Sequence, residues 1–333
     1  MPSPTSPDPI RRTAVVQLIL TTAAWGLSFP LFKMLSDVQK LHVPEAGSVF
    51  LSAHYIAVRS LAAALVFLAF NFRLLCGLRR SEWVQGALLG GFGGAGLVLQ
   101  ADGLQYTSAS VSAFLTQFYC VLLPAWACFK GRRWLPPRLL IATLLVISGI
   151  SVLSGIVKWQ NGAVNVEHFH MGRGELETLL AAVFFTVQIL ILEKPEWKSH
   201  RMIPVSVIMF FGFALTALPA VIIKAPSVAA ITGLYQNHHE FILMGGIVLF
   251  CTVYAYSAMN RWQPHVSATE GGLIYTLEPV FTSFYALFMP AMMAAWTGVK
   301  YNNEILTITL LTGGALITLA NVVLQLPGRR QNP

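Results

Sequence analysis

The chain alternates between apolar blocks of about twenty residues and short polar segments, and this pattern fixes the class of fold. A helix of twenty residues, rising about 1.5 Å per residue, crosses the roughly 30 Å hydrocarbon core of a bilayer. Lipid offers no partner for free backbone amides, so each block must be helical. Only 11% of the 333 residues are charged, against roughly 25% in a soluble domain. The sequence therefore predicts an all-α integral membrane protein.

Ten transmembrane helices are predicted between an N-terminal tail (1–12) and a C-terminal tail (327–333). The first block follows two arginines, as in a signal peptide, but it runs to about residue 34 without a small-residue cleavage site. We therefore expect a retained first helix. The predicted spans are 13–34, 51–72, 82–101, 108–129, 137–156, 174–192, 203–223, 239–258, 265–289 and 304–326.

The basic residues predict the orientation of these spans. Fifteen Lys and Arg residues lie in the segments on the side of the N-terminus, and five lie in the segments on the other side. Cytoplasmic loops are enriched in these residues, so both termini are predicted to be cytoplasmic, in a chain of the inner (plasma) membrane. Because the charges are spread among loops, the net charge of +8 indicates orientation signals and not nucleic-acid binding.

Ten spans divide into two halves of five, residues 13–156 and 174–326, joined by an external loop at 157–173. An odd number of spans in each half places the halves in opposite orientation, an arrangement common in transporters. Weak internal similarity between the fourth and ninth spans supports the division. It sets these positions opposite one another: Ser108 and Ser267, Gln117 and Thr276, Tyr119 and Glu278, Cys120 and Pro279.

Three short motifs occur in a fixed order. The first span contains Ala24-Trp-Gly-Leu-Ser-Phe-Pro30, the second contains Arg59-Ser-Leu-Ala-Ala63, and the ninth contains Leu277-Glu-Pro-Val-Phe281. Together they resemble the EamA-type, ten-helix members of the drug/metabolite transporter superfamily, over about residues 13–326. The resemblance implies a secondary transporter that exports small organic metabolites, amino acids or related compounds, by alternating access. The chain lacks the Gly-Glu pair that members often have after the fourth and ninth spans.

Two charged residues, Arg59 and Glu278, lie near the middle of predicted spans, where a charge is costly and usually faces a cavity or a partner. Arg59 either holds its helix in place through a buried pair or carbonyls, or attracts an anionic group such as a carboxylate. Glu278 either couples transport to protons or binds an amine, or it has a fixed hydrogen-bonding role beside Pro279. Lys33, at the end of the first span, is expected at the membrane interface.

Further polar and aromatic side chains are candidates for the lining of a central substrate cavity, which is typically apolar with a few placed polar groups. For the aromatic residues among them, an ordinary core or interface role is equally compatible. A glutamine in mid-span is expected to face the cavity, since its amide would be unsatisfied in lipid. The candidates besides Arg59 and Glu278 are Trp25, Gln100, Gln117, Tyr119, Gln188, Tyr254, Asn260 and Tyr275, and the same argument extends to Tyr256 and Asn321.

No catalytic residue, cofactor or metal site is predicted. Residues 91–96 match the dinucleotide-binding pattern G-x-G-x-x-G, but they lie inside a span, and Gly86, Gly90 and Gly94 recur at the spacing of a helix–helix contact. The rival function is a membrane-embedded enzyme acting on lipid-linked substrates, which would need a cluster of reactive groups at one membrane face. The expected partners are a small-molecule substrate and lipid. A monomer and a homodimer through the glycine-containing fifth and tenth helices are equally compatible with the sequence.

Overall fold

The computed structural model describes residues 9–75, 77–132, 134, 136–153, 157–160, 163–166, 171–192, 194–266 and 268–325. The C-terminal tail, most of the N-terminal tail, Ser267 and part of the 157–173 loop lie outside the described residues. The first half contains α1 (Pro9–His42), α2 (Ser48–Leu75), α3 (Arg80–Leu104), α4 (Ala109–Thr116), α5 (Tyr119–Lys130) and α6 (Pro137–Leu153). The second half contains α7 (Arg173–Leu192), α8 (Met202–Lys224), α9 (Val228–Gly233), α10 (His238–Gly246), a π-helix (Ile247–Tyr254), α11 (Ala255–Trp262), α12 (Ala268–Tyr275), α13 (Glu278–Ala286), α14 (Met289–Thr297) and α15 (Ile308–Gln325).

Seven segments of the described chain are helical, long and apolar enough to cross a membrane, and an eighth crossing results if the bent pair Gly271–Ala286 and Met289–Thr297 forms one span. Helices α6 and α15, which fall in the fifth and tenth predicted spans, are shorter, at 17 and 18 residues. The helical, multi-pass character expected from the sequence is confirmed. The all-α prediction is wrong at one place, because β1 (Val157–Gln160) and β2 (Ala163–Val166) pair antiparallel within the predicted 157–173 loop.

The first helix is much longer than the predicted span 13–34, since α1 continues to His42. Polar residues in its last turns lower the hydropathy of the segment, but they bond to the chain that follows α3. The amine of Lys33 donates to the carbonyl oxygen of Thr107 at 2.5 Å, and the hydroxyl of Ser36 donates to Gln105 at 3.0 Å. The expectation that Lys33 lies at a helix end is therefore wrong.

The fourth and ninth predicted spans are both broken in the middle, and in the same way. Helix α4 has eight residues and is followed after a break at 117–118 by α5, whereas α12 has eight residues and is followed after a break at 276–277 by α13. In each break a backbone amide turns back by three residues: Phe118 donates to Leu115 and Leu277 donates to Ile274, both at 3.0 Å.

The two halves of the sequence are interleaved. The main partners of α1 are α10–α14 and the π-helix between them, and the main partners of α3 are α7 and α8. Helix α2 packs along α8. Neither half therefore forms a compact body of its own.

Glycines permit the closest of these contacts. A Cβ added to Gly90 in α3 would lie 2.6 Å from the Cα of Gly212 in α8. Gly86 and Gly94 meet α8 at similar distances, so the packing interpretation of this glycine series is confirmed. In α6, a Cβ at Gly149 would lie 2.8 Å from the carbonyl oxygen of Gly313 in α15. The glycine faces of α6 and α15 thus contact each other within the chain.

Candidate functional site

Arg59 lies in the middle of α2 and is held by hydrogen bonds from three of its nitrogens. Its Nε donates to the hydroxyl of Thr252 at 2.7 Å, and its two terminal nitrogens donate to the hydroxyl of Tyr55 at 2.9 Å and to the carbonyl oxygen of Cys251 at 3.3 Å. Thr252 and Cys251 belong to the π-helix. A guanidinium carries five N–H donors, so two of them bind none of the described residues. No carboxylate of the described chain forms an ion pair with Arg59.

A small cavity of about 30 Å³ lies beside Arg59, between α1, α2 and α3. This volume corresponds to about one water molecule, so the cavity as it stands does not hold an organic substrate. Its lining is apolar except for Ser28, Tyr55, Arg59 and Gln100. The amide of Gln100 donates to the hydroxyl of Thr116 at 2.8 Å.

Glu278 is the first residue of α13, directly after the break in the ninth span. Its side chain is partly buried, and none of the described residues forms a hydrogen bond or an ion pair with its carboxyl group. Unpaired backbone amides at a helix N-terminus carry partial positive charge. The position therefore favours a carboxylate while leaving its oxygens open to a ligand.

An aromatic cluster lies where α1, α11 and α12 meet. The ring of Trp25 packs against Tyr256 with a centroid distance of 5.8 Å and against Tyr275 with one of 5.5 Å. The predicted candidates Trp25 and Tyr275 are thus brought together, with Tyr256 of α11 beside them.

The first-span motif is explained by its contact with α13. Pro30 has no amide to donate to the carbonyl oxygen of Gly26, one turn earlier. The hydroxyl of Thr282 lies 3.3 Å from this oxygen and 3.0 Å from the carbonyl oxygen of Glu278, so the two oxygens share its single hydrogen. A Cβ at Gly26 would lie 2.9 Å from the backbone nitrogen of Thr282 and 3.0 Å from the carbonyl oxygen of Glu278. Gly26 and Pro30 therefore seat α1 directly on the turn that carries Glu278.

The first part of the fourth span, α4, packs against α13, and Tyr119 begins α5 after the break. Gln117, in the break, is 1% exposed, and its carbonyl oxygen accepts a hydrogen bond from Asn321 at 3.3 Å. Its amide nitrogen is buried without a partner in the described structure, so neither of its two N–H donors is used there.

Three predicted residues lie in helix–helix contacts away from the two charges. Gln188 donates to the carbonyl oxygen of Leu89 at 3.3 Å, Tyr254 donates to Gln17 at 3.1 Å, and Asn260 donates to Ser206 at 3.3 Å. The argument that a mid-span glutamine faces a cavity is wrong for Gln188, because the glycine-rich face of α3 gives its amide a backbone partner.

Sequence analysis did not identify two residues that hold Arg59. Tyr55 precedes Arg59 by one helical turn, a spacing that indicates a contact and was available from the sequence. Thr252 reaches Arg59 through the π-helix, and no sequence signal predicts that geometry.

Ionic contacts close both ends of α3. We call the end of the bundle where α1 and α3 finish the distal end, and the opposite end the proximal end. At the proximal end, Arg201 pairs with Glu82 at 2.9 Å, and at the distal end Arg173 pairs with Asp102. A carboxylate oxygen of Glu304 also accepts from the backbone amide of Ala109 at 2.7 Å, at the N-terminus of α4.

Comparison with known proteins points to one family. Residues 12–155, which include Trp25 and Arg59, match the EamA-like transporter family. An uncharacterized transporter of Archaeoglobus fulgidus is 26% identical over 319 residues, which cover 95% of this chain and 87% of that protein. The first half of the chain thus carries an EamA-like domain. Together with the relative, this domain supports membership of the drug/metabolite transporter superfamily and a multi-pass membrane transporter of that type.

The fold has a counterpart among solved structures. The match to one crystal structure covers 90% of this chain and 95% of the chain in that structure, with a TM-score of 0.52 and 16% sequence identity. At that identity the likeness concerns the fold alone.

Proposed function

We propose that the chain is a secondary transporter that exports a small organic metabolite, an amino acid or a related compound, by alternating access. The observation that carries this proposal is the pair Arg59 and Glu278. The two residues carry opposite charges, both lie inside apolar spans, and neither has an ion-pair partner among the described residues.

The energetics favour a zwitterionic ligand at this pair. A charge in the middle of a span costs about 2.5–3.5 kcal/mol on insertion scales and more in simulations. A substrate carboxylate on the two free donors of Arg59 and a substrate ammonium on Glu278 would compensate both charges at once. Trp25, Tyr256 and Tyr275 would then contact the carbon skeleton and the ammonium group through their ring faces.

The repeat that alternating access requires has support in the helix contacts. If each of the first five spans is exchanged with its equivalent among the last five, the contact of α1 with α13 becomes the contact of α7 with α5. The contact of α3 with α7 likewise becomes the contact of α11 with α1, and all four contacts are present. The matching breaks at 117–118 and 276–277 fit the same exchange. We therefore propose ten spans in two inverted repeats, residues 13–156 and 174–326.

Because the two halves are interleaved, the rigid bodies that move during alternating access cannot be the two halves of the sequence. Rocking of the two sequence halves against each other would break the contacts of α1 with α10–α14. We place the motion instead between a body formed by α1 and α10–α13 and a body formed by α3, α4 and α7, with α2 and α8 packed between them. Each body contains helices from both halves, and the broken spans meet where the bodies adjoin.

The distribution of Lys and Arg supports an orientation with both termini in the cytoplasm and the distal end outside. In this orientation the α1–His42 end of the bundle closes the site from the exterior of an inner (plasma) membrane. Opening there would release substrate outward.

The test is transport into proteoliposomes of a panel of radiolabelled amino acids and small organic acids and amines. We expect saturable uptake of at least one zwitterion, and a loss of at least tenfold in Arg59→Gln and in Glu278→Gln. The matched controls are Arg73→Gln and Glu45→Gln, at exposed positions, which should transport normally. Full transport by both site variants, with normal elution of the purified proteins, would contradict the assignment.

A further inference from the structure

At the distal end, two carboxylates share one arginine. Arg173 is the first residue of α7, and its guanidinium pairs with Asp102 of α3 and, at 2.7 Å, with Glu177 one turn further along α7. The third nitrogen of the guanidinium donates to the hydroxyl of Tyr106 at 2.8 Å. The cluster therefore contains two acids against one permanent cation.

Each acid uses only one of its two oxygens in this contact. Asp102 is 3% exposed, and its Oδ1 is buried without a partner. Oε2 of Glu177 is buried without a partner as well. A buried carboxylate oxygen without a hydrogen bond carries a desolvation penalty, and here two such oxygens occur in one place.

Helix packing presses the two carboxyl groups together. A Cβ at Gly103, next to Asp102, would lie 3.2 Å from the Cβ of Glu177 and 2.7 Å from the carbonyl oxygen of Gly174. The carboxyl groups of Glu177 and Asp102 both contact the guanidinium of Arg173, so they lie close to each other. Two carboxylates at this range cannot both be ionised at low cost, whereas one proton between them satisfies both orphaned oxygens.

Among the described residues, no other charged group around the cluster is free to compensate the second negative charge of Asp102 and Glu177. Arg173 is already shared, and Tyr106 accepts from it. The nearest further titratable groups are occupied at the turn that follows α3: Glu175 accepts from the hydroxyl of Thr107, Lys33 donates to the carbonyl oxygen of Thr107, and Glu304 lies at the N-terminus of α4. In the described structure, no group of three or more His, Cys, Asp or Glu side chains is arranged to hold a metal ion.

We propose that Asp102 and Glu177 form a proton-binding site that holds the distal ends of α3 and α7 together. With the proton bound, the acids hydrogen-bond across the interface and Arg173 neutralises the remaining charge. When the proton leaves, two like charges face each other at the point where Gly103 and Gly174 bring the helices into contact, and the distal ends of α3 and α7 separate. This site is independent of Arg59 and Glu278, and its test requires no substrate.

The first test is the infrared C=O stretch of protonated carboxyl groups, followed while the pH of the purified protein is raised. In the wild type, we expect one band to disappear as the pH rises. In Asp102→Asn and in Glu177→Gln, this band should already be absent near neutral pH, because either change leaves a single acid paired with Arg173. Glu278→Gln controls for the partly buried carboxyl group of the candidate substrate site and must retain the band. Arg173→Gln should retain it to a higher pH, because the cation that favours ionisation is gone.

The second test is hydrogen–deuterium exchange of the segments 101–107 and 171–177. Exchange should increase with pH in the wild type and stay constant in Glu177→Gln, which keeps a hydrogen-bonding side chain without a charge. A band that persists in both acid variants would overturn the proposal. So would pH-independent exchange in the wild type.

Discussion

Two adjacent glycines in α3 have different surroundings, so we expect replacement by alanine to change the stability in opposite directions at the two positions. A Cβ at Gly90 would lie 2.6 Å from the Cα of Gly212 and 3.0 Å from the carbonyl oxygen of Met209, so it would meet backbone that cannot turn aside. A Cβ at Gly91 would meet nothing within 4 Å. Only the first position belongs to the contact between α3 and α8.

The difference in stability follows from this geometry. Replacing a helical glycine by alanine gains up to about 1 kcal/mol of helix propensity, and this gain is common to Gly90→Ala and Gly91→Ala. Gly90→Ala also forces two helices apart, and overpacking of this kind costs roughly 1–3 kcal/mol. We therefore expect Gly91→Ala to be at least as stable as the wild type and Gly90→Ala to be less stable than Gly91→Ala by about 1–3 kcal/mol.

Thermal unfolding in one detergent, followed by tryptophan fluorescence, measures the comparison. A midpoint shift of roughly 2–4 °C per kcal/mol holds for chains of 150–250 residues, so the two variants should differ by several degrees. Equal midpoints would refute the close approach of α3 to α8. They would also remove the packing explanation of the G-x-G-x-x-G segment.

Two further predictions concern α1 and the segment between α14 and α15. Pro30→Ala supplies an amide to the carbonyl oxygen of Gly26, which now shares the hydrogen of the Thr282 hydroxyl with the carbonyl oxygen of Glu278. We therefore expect unchanged or higher thermal stability with slower transport. Pro219→Ala, at an exposed proline of α8, should leave transport unchanged, and equal transport rates in the two variants would contradict this role. Burial raises the pKa of Tyr301, and its hydroxyl has no partner among the described residues, so Tyr301→Phe should raise stability by up to about 1 kcal/mol. A lower unfolding midpoint in Tyr301→Phe would indicate a hydrogen bond that the structure lacks.

The sequence predicted the positions of the membrane helices because hydropathy is a local property. Its main error was the end of α1, where Lys33 and Ser36 reduce the hydropathy of a helix that continues to His42. Their partners lie about seventy residues away in the chain. Local hydropathy does not register such partners.

The site was predicted in part for a related reason. Arg59 and Glu278 were found because a charge inside an apolar span is conspicuous in any context. The break at 276–277 has a sequence signal in Pro279, but the equivalent break at 117–118 has none in Cys120. Which amides find a partner depends on packing between distant segments: the amide nitrogen of Gln188 donates to Leu89, whereas that of Gln117 has no partner in the described structure.

The interleaving of the two halves has a consequence for how the chain is made. When the ribosome has finished α3, the glycine face of this helix has no partner, because α7 and α8 are encoded more than sixty residues later. In the same way, Asp102 has no ion-pair partner until Arg173 has been synthesised. Insertion of the first five spans therefore yields an unfinished intermediate, and the bundle can close only after the second half has been synthesised.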